Sequence, residues 1–177
     1  MKRLSSLNDI GFFQLDILDD YAIDNFLNLI NKIIKTGGAV GFENEVSHKD
    51  IKSLLEKMLF EQNSFFIIGI SDKKFIGAGS LIFKRTGITK HVGEIQKVMV
   101  DVDFRGRGIA KEIMEKLIDK AKEIGLESII LDVRETQITA INLYKSFGFH
   151  IVGKFENYVK VKGGCYDDYW MQKSLKR

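Results

Sequence analysis

The residues best suited to chemistry lie between Val98 and Ala110. There the chain reads Val-Met-Val-Asp-Val-Asp-Phe-Arg-Gly-Arg-Gly-Ile-Ala. An apolar run stops at Asp101 and Asp103. A short basic loop with Gly106 and Gly108 follows, and a long amphipathic helix begins at once. A helix N-terminus carries unpaired N–H groups and partial positive charge, which suits phosphate. Glycines let the backbone come close to a ligand, and Arg105 and Arg107 add forked, charged donors. The segment is therefore a place for a phosphorylated cofactor. It is not a nucleotide-hydrolase loop, because no Lys-Ser/Thr pair follows the glycines. It is not a dinucleotide fingerprint either, since Lys111 stands where the third glycine would fall. As a nucleic-acid element, Arg105-Gly106-Arg107-Gly108 is too short and lacks interleaved aromatics. His48, His91 and His150 show no metal-ligand spacing, so no metal is expected.

The loop must be held between a strand and a helix, and the flanking pattern supplies both. Residues 10–18 suggest a first strand. Ile23, Phe26, Leu27, Ile30, Ile33 and Ile34 repeat at helical steps until Gly37-Gly38. A second helix carries Ile51, Leu54, Leu55, Met58 and Leu59, with Ser47 as N-cap and Asp50 completing a capping box. Phe65–Ile70 and Phe75–Phe83 form a hairpin around residues 71–74, with Gly77 and Gly79 on one face where something packs closely. A strand from Glu94 to Val100 leads into the loop, and a third helix spans about Arg107 to Ile124. Ser128–Val133 is a short strand parallel to the previous one if the crossover is a normal βαβ unit. A fourth helix, Ile138–Phe147, and strands Phe149–Val159 and Tyr166–Leu175 finish the chain. The order β-α-α-β-β-β-α-β-α-β-β predicts an α/β domain over residues 1–177, with a mixed sheet of about seven strands and four helices.

Composition bounds the function. The chain has 177 residues, 45% hydrophobic and 29% charged, with a formal net charge of +3. That is an ordinary globular balance. It favours an anionic cofactor without calling for nucleic acid. The single cysteine, Cys165, allows no internal disulfide. No apolar run is long enough to span a bilayer and none resembles a signal peptide, so a cytoplasmic location is expected. A homodimer is compatible with the sequence, although no motif in it requires one.

In this setting the chain resembles the GNAT superfamily, the Gcn5-related N-acetyltransferases. The family's Gln/Arg-x-x-Gly-x-Gly/Ala loop is matched by Arg105-Gly106-Arg107-Gly108-Ile109-Ala110. A second block, Ala140-Ile141-Asn142-Leu143-Tyr144 followed by Gly148-Phe149, matches as well. The closing Tyr166-Asp167-Asp168-Tyr169-Trp170-Met171 is similar to a bacterial branch acting on small molecules or protein N-termini. The sequence departs from the pattern at Gln137, where many relatives carry an Asn that contacts the cofactor.

The resemblance implies transfer of an acetyl group from acetyl-CoA to a primary amine, either a small molecule or a protein N-terminus. It assigns the pyrophosphate to the N–H groups from Arg105 to Ala110. It assigns the pantetheine arm to the strand edge at Val98, Met99 and Val100, paired as an added strand would be. The Val100 N–H is the candidate donor to the thioester oxygen. Asn142 is placed at the cofactor edge.

An alkyl ammonium must lose a proton before it attacks. Glu94, eleven residues before Arg105, is the candidate base, at the offset where the resemblance to the histone-acetylating members implies a glutamate. Along a regular strand it shares a face with Gln96, Val98 and Val100. The other reading is a solvated carboxylate at a strand end. Tyr144 is the candidate general acid, since a phenol keeps its proton at neutral pH; otherwise it closes the core beside Phe147. Asp167 and Asp168 either attract a cationic substrate or face water in a terminal strand, and the second reading is the expectation. The competing function is a CoA-holding sensor without catalysis, against which Glu94 and Tyr144 together argue.

Overall fold

The computed structural model describes residues 1–7, 9–38, 40–61 and 63–176. In chain order its elements are β1 (Lys2–Leu7), β2 (Ile10–Gln14), α1 (Asp20–Lys35), α2 (His48–Glu56), β3 (Asn63–Ser71), β4 (Lys74–Phe83), β5 (Val92–Val100), α3 (Ile109–Glu123), β6 (Ser128–Arg134), α4 (Ile138–Ser146), β7 (His150–Val161) and β8 (Gly164–Ser174). A π-helical turn, Lys57–Glu61, extends α2. The strands form one sheet in the order β1-β2-β3-β4-β5-β6-β8-β7. Pairing is antiparallel except between β5 and β6. The expected mixed α/β architecture is present, with eight strands among the described residues instead of about seven. The additional strand, β1, is mostly exposed and lacks apolar alternation. Pairing with β2 creates it, so periodicity gave no sign of it. The first predicted strand also stops at Gln14, short of residue 18.

Each face of the sheet has its own core. On one face α1 and α2 bury Phe26, Ile30, Ile33, Ile51 and Leu55 against Phe66, Ile68 and Met99. On the other, α3 and α4 bury Ile113, Leu117 and Ile141 against Ile67, Leu81, Ile95 and Leu131. Each large apolar side chain so buried contributes about 1.5–3 kcal/mol. The helix ends follow the expected local chemistry. The Asp19 carboxylate accepts from the Ala22 N–H at 2.8 Å and caps α1. Ser47 and Asp50 form the capping box of α2.

Two features of the sheet shape a cleft. First, α3 lies very close to β4. A Cβ on Gly77 would sit 2.9 Å from Ile109 Cγ2, and one on Gly79 would sit 2.6 Å from Ile113 Cγ2. These glycines seat the helix whose N-terminus forms the basic loop. Second, β5 and β6 pair only from Val92 to Glu94, opposite Ser128 to Ile130. Beyond that point β5 leaves β6. The cause is a bulge in which Lys97 and Val98 together oppose Gly79. Lys97 has φ of +56°, a left-handed conformation that costs a non-glycine residue about 1 kcal/mol or more.

Candidate active site

The split between β5 and β6 opens into a channel of about 570 Å³ that runs to the start of α3. Val98, Met99, Val100, Arg105, Gly106, Gly108, Ile109 and Ala110 line it. These eight were expected at the cofactor, and the fold brings them together. Gly106 and Gly108 have φ of +76° and +80°. Gly108 is the N-cap of α3, and no side chain caps that turn. The N–H groups of Ile109, Ala110 and Lys111 therefore have no intrahelical partner and are free for an anion. Lys32 of α1 ties the loop down through Asp101 at 2.7 Å and Asp103 at 2.6 Å. Those two carboxylates hold the Lys32 pKa above its ordinary value.

Two residues expected at the cofactor lie elsewhere. Arg107 is not on the channel wall. Its guanidinium rests 4.9 Å from the Phe104 ring centroid and donates to the Asp103 carbonyl at 3.4 Å. Asn142 is exposed on the far side of α4 and lines neither this channel nor the cavity beyond it. Gln137, at the N-cap of α4, does line the channel, as do Thr136 and Thr139.

That second cavity, of about 580 Å³, lies deeper along the same split. It shares Gly38, Val40, Val98, Gln137, Ala140 and Tyr144 with the channel, so the two meet along those residues. Its roof is the segment after α1. There Glu43 accepts from the Lys162 N–H at the β7–β8 hairpin, and Asn44 Oδ1 accepts from Lys162 Nζ at 3.4 Å. Tyr144 stands at the junction, only 7% exposed. Burial, aided by the charge of Asp132, pushes its phenol pKa up to about 12. It remains a proton donor throughout the physiological range.

Glu94 is on β5 beside Ile82 and Ile130. Its Oε1 accepts from Gln96 Nε2 at 2.5 Å. Gln96 lines the second cavity and Glu94 does not. The expected common face of Glu94, Gln96, Val98 and Val100 is not formed. The bulge at Lys97 shifts the alternation, so Val98 and Val100 pack on the α3 side, while Met99 joins the α1–α2 core.

Three charged residues in this cavity, Lys97, Asp132 and Asp168, were not among the expected site residues. Lys97 Nζ donates to the Val40 carbonyl at 3.2 Å and lies 5.7 Å from the Phe42 ring centroid. Burial lowers its pKa, and Asp132 opposes that effect. Asp132 itself stands between Leu131 and Val133 of β6, both buried. Asp168 is the larger correction to the expectation that both terminal aspartates face water. Asp167 pairs with Lys154 at 2.9 Å and accepts from the Asn157 N–H. Asp168 is 2% exposed, and its Oδ2 has no hydrogen-bond partner among the described residues. Burial and the Asp132 charge raise its pKa to about 6, with Arg134 acting the other way. Period-two alternation, which separates Asp168 from Asp167, was the available signal.

The sequence profile described as Acetyltransferase (GNAT) family matches residues 31–149. Human N-acetyltransferase 8B is 28% identical over 106 residues, 59% of this chain and 47% of that protein. The chain spans about half or less of the length of the curated relatives it matches. An N-acetyltransferase structure from Staphylococcus aureus Mu50 superposes with a TM-score of 0.82 at 18% identity, covering 96% of this chain and 100% of that one. The structure of yncA from Salmonella typhimurium with its cofactor acetyl-CoA gives 0.75 at 17% identity, covering 93% and 95%. At such identities these structures speak for the fold. The profile match extends from α1 through the loop to α4 and so contains the phosphate-suited channel; the chain belongs to the GNAT family of acetyltransferases.

Proposed function

We propose that this chain moves an acetyl group from acetyl-CoA to a primary amine by direct transfer. The observation that carries this reading is the position of Tyr144, a buried phenol where a phosphate-suited channel meets a charged cavity. Acetyl-CoA supplies the activated acetyl group. Arg105 and the N–H groups from Gly106 to Ala110 hold its phosphates, and Arg107 adds positive charge from outside the wall. Val98, Met99 and Val100 offer the strand edge to its amide-bearing arm, and the Val100 N–H donates to the thioester oxygen. Gln137 flanks the cofactor from the start of α4. Tyr144 gives its proton to the departing thiolate. Glu94 assists deprotonation of the amine from behind Gln96. The acceptor is a small-molecule amine or a protein N-terminus.

The test is to mix the protein with acetyl-CoA and an amine panel and to follow thiol release. Amino acids, polyamines, aminoglycosides and peptides with free N-termini belong in the panel. Release with at least one amine is expected. Tight CoA binding with no release from any amine would favour the sensor.

A further inference from the structure

The second cavity holds a feature that neither the channel nor the phenol explains. Asp168 is almost wholly buried, yet Oδ2 finds no donor among the described residues. An unpartnered buried carboxylate is costly, and a protein of this size had many ways to avoid one. Asp168 lies on a wall of the same cavity as Tyr144. Across the β6–β8 pairing its register partner is Arg134, and Asp132 lies two residues further back along β6. Lys97, Asp132 and Tyr144 line the same cavity as Asp168, and the Asp132 charge bears on all three of the others.

We propose that Asp168 receives the acceptor: Oδ2 docks the substrate's ammonium group and takes its first proton. This rests on the transferase reading of the site. The ligand class is a protonated alkylamine, since the open position beside two carboxylates calls for a donor carrying positive charge. The ammonium gives one proton to Asp168, which passes it to solvent. The nitrogen lone pair then forms the C–N bond as the C–S bond breaks. The thiolate takes the phenol proton of Tyr144, and the second nitrogen proton leaves through water to restore the phenol. One proton is released per turnover.

The charged and titratable groups that line the cavity with Asp168 are Lys97 from β5, Asp132 and Arg134 from β6, Tyr144 from α4, Lys160 from β7 and Glu43 from the roof. The carboxylate pKa of about 6 places it among groups able to exchange protons near neutrality.

The experiment compares wild type, Asp168→Asn and Glu94→Gln. In thiol release, wild-type kcat/KM should rise through about pH 6 and level off. Asp168→Asn should lose that limb and about 100-fold in kcat/KM, raise KM for the amine, and keep its CoA affinity within about twofold. Glu94→Gln should retain the limb. An Asp168→Asn enzyme within about threefold of wild type with the same profile would overturn the proposal. A second readout needs no turnover. Aspartate carboxyl carbons are observed by NMR in the CoA-loaded protein while ethylammonium is added. The Asp168 signal, identified by its loss in Asp168→Asn, should titrate near pH 6 and move with ethylammonium. If it titrates normally and ignores ethylammonium, the assignment is wrong. A wild type that releases no thiol while this signal still responds would refute transfer alone and leave the amine site standing.

Discussion

At the scale of single residues, the proposed chemistry turns on Tyr144 and the carboxylates near it. The phenol's raised pKa means that Tyr144→Phe removes a proton donor without removing a charge. The ring also packs 6.1 Å from Phe149, and phenylalanine keeps that contact. Turnover should fall by about 100-fold while the melting temperature stays within a few degrees; full activity would end the general-acid role. Glu94→Gln tests the carboxylate that the sequence alone singled out. With Gln96 between it and the cavity, its loss should slow transfer no more than about tenfold, with recovery as pH rises and free amine accumulates. A profile parallel to wild type at every pH would remove Glu94 from proton transfer. Tyr144 stood out in sequence through the block Ala140–Tyr144, and Glu94 through its place at the start of the strand that leads into the loop. Asp168 was hidden because its burial depends on which face of β8 points into the split.

At the scale of elements, the proposed donor side rests on one loop and one helix. The loop was legible from Arg105 to Ala110, since glycine positions and a following amphipathic pattern are local properties. Its two arginines were not separable in sequence. Arg105 lines the channel, whereas Arg107 stacks on Phe104. Arg105→Ala should therefore weaken CoA binding about tenfold at low salt, and titration calorimetry should show a smaller loss for Arg107→Ala. An equal loss for both would put Arg107 on the phosphates. The seat of α3 against β4 makes a second prediction. Gly79→Val pushes a branched side chain into Ile113 and Leu117. It should destabilise the fold by about 1–3 kcal/mol in denaturant unfolding and loosen CoA binding with it, because the phosphate loop rides on the same helix.

For the whole molecule, the cost of keeping Asp168 buried should appear as a pH dependence of stability. Its folded pKa is about 6 against an ordinary 3.8, so the folded state binds the extra proton between those values. Stability is therefore highest below the lower value and is lost as pH rises through the upper one. The gap corresponds to at most roughly 3 kcal/mol. Asp50, Asp167 and Glu127 have lowered pKa values and act in the opposite direction, so the signal must be read as a difference. Urea unfolding of wild type and Asp168→Asn should agree near pH 4, and above pH 6.5 the variant should be the more stable. A constant difference across that range would show that the carboxyl titrates normally.

The sequence by itself determined the parts that depend on neighbours along the chain. These are the amphipathic helices, the capping box at Ser47, the hairpin at residues 71–74, the glycine seat of α3 and the phosphate loop, all of which follow from periods, caps and turns. The tertiary structure alone decided the rest. It added β1, an edge strand stabilised by pairing and not by pattern. It placed a bulge at Lys97, which reversed the faces of β5 and moved Val98 and Val100 away from Glu94. It also turned Asp168 inward beside Asp132 and Tyr144. Strand faces, bulges and burial are set by partners distant in sequence, and so the glycine loop before α3 was visible in the residues while the charged cavity beside it was not.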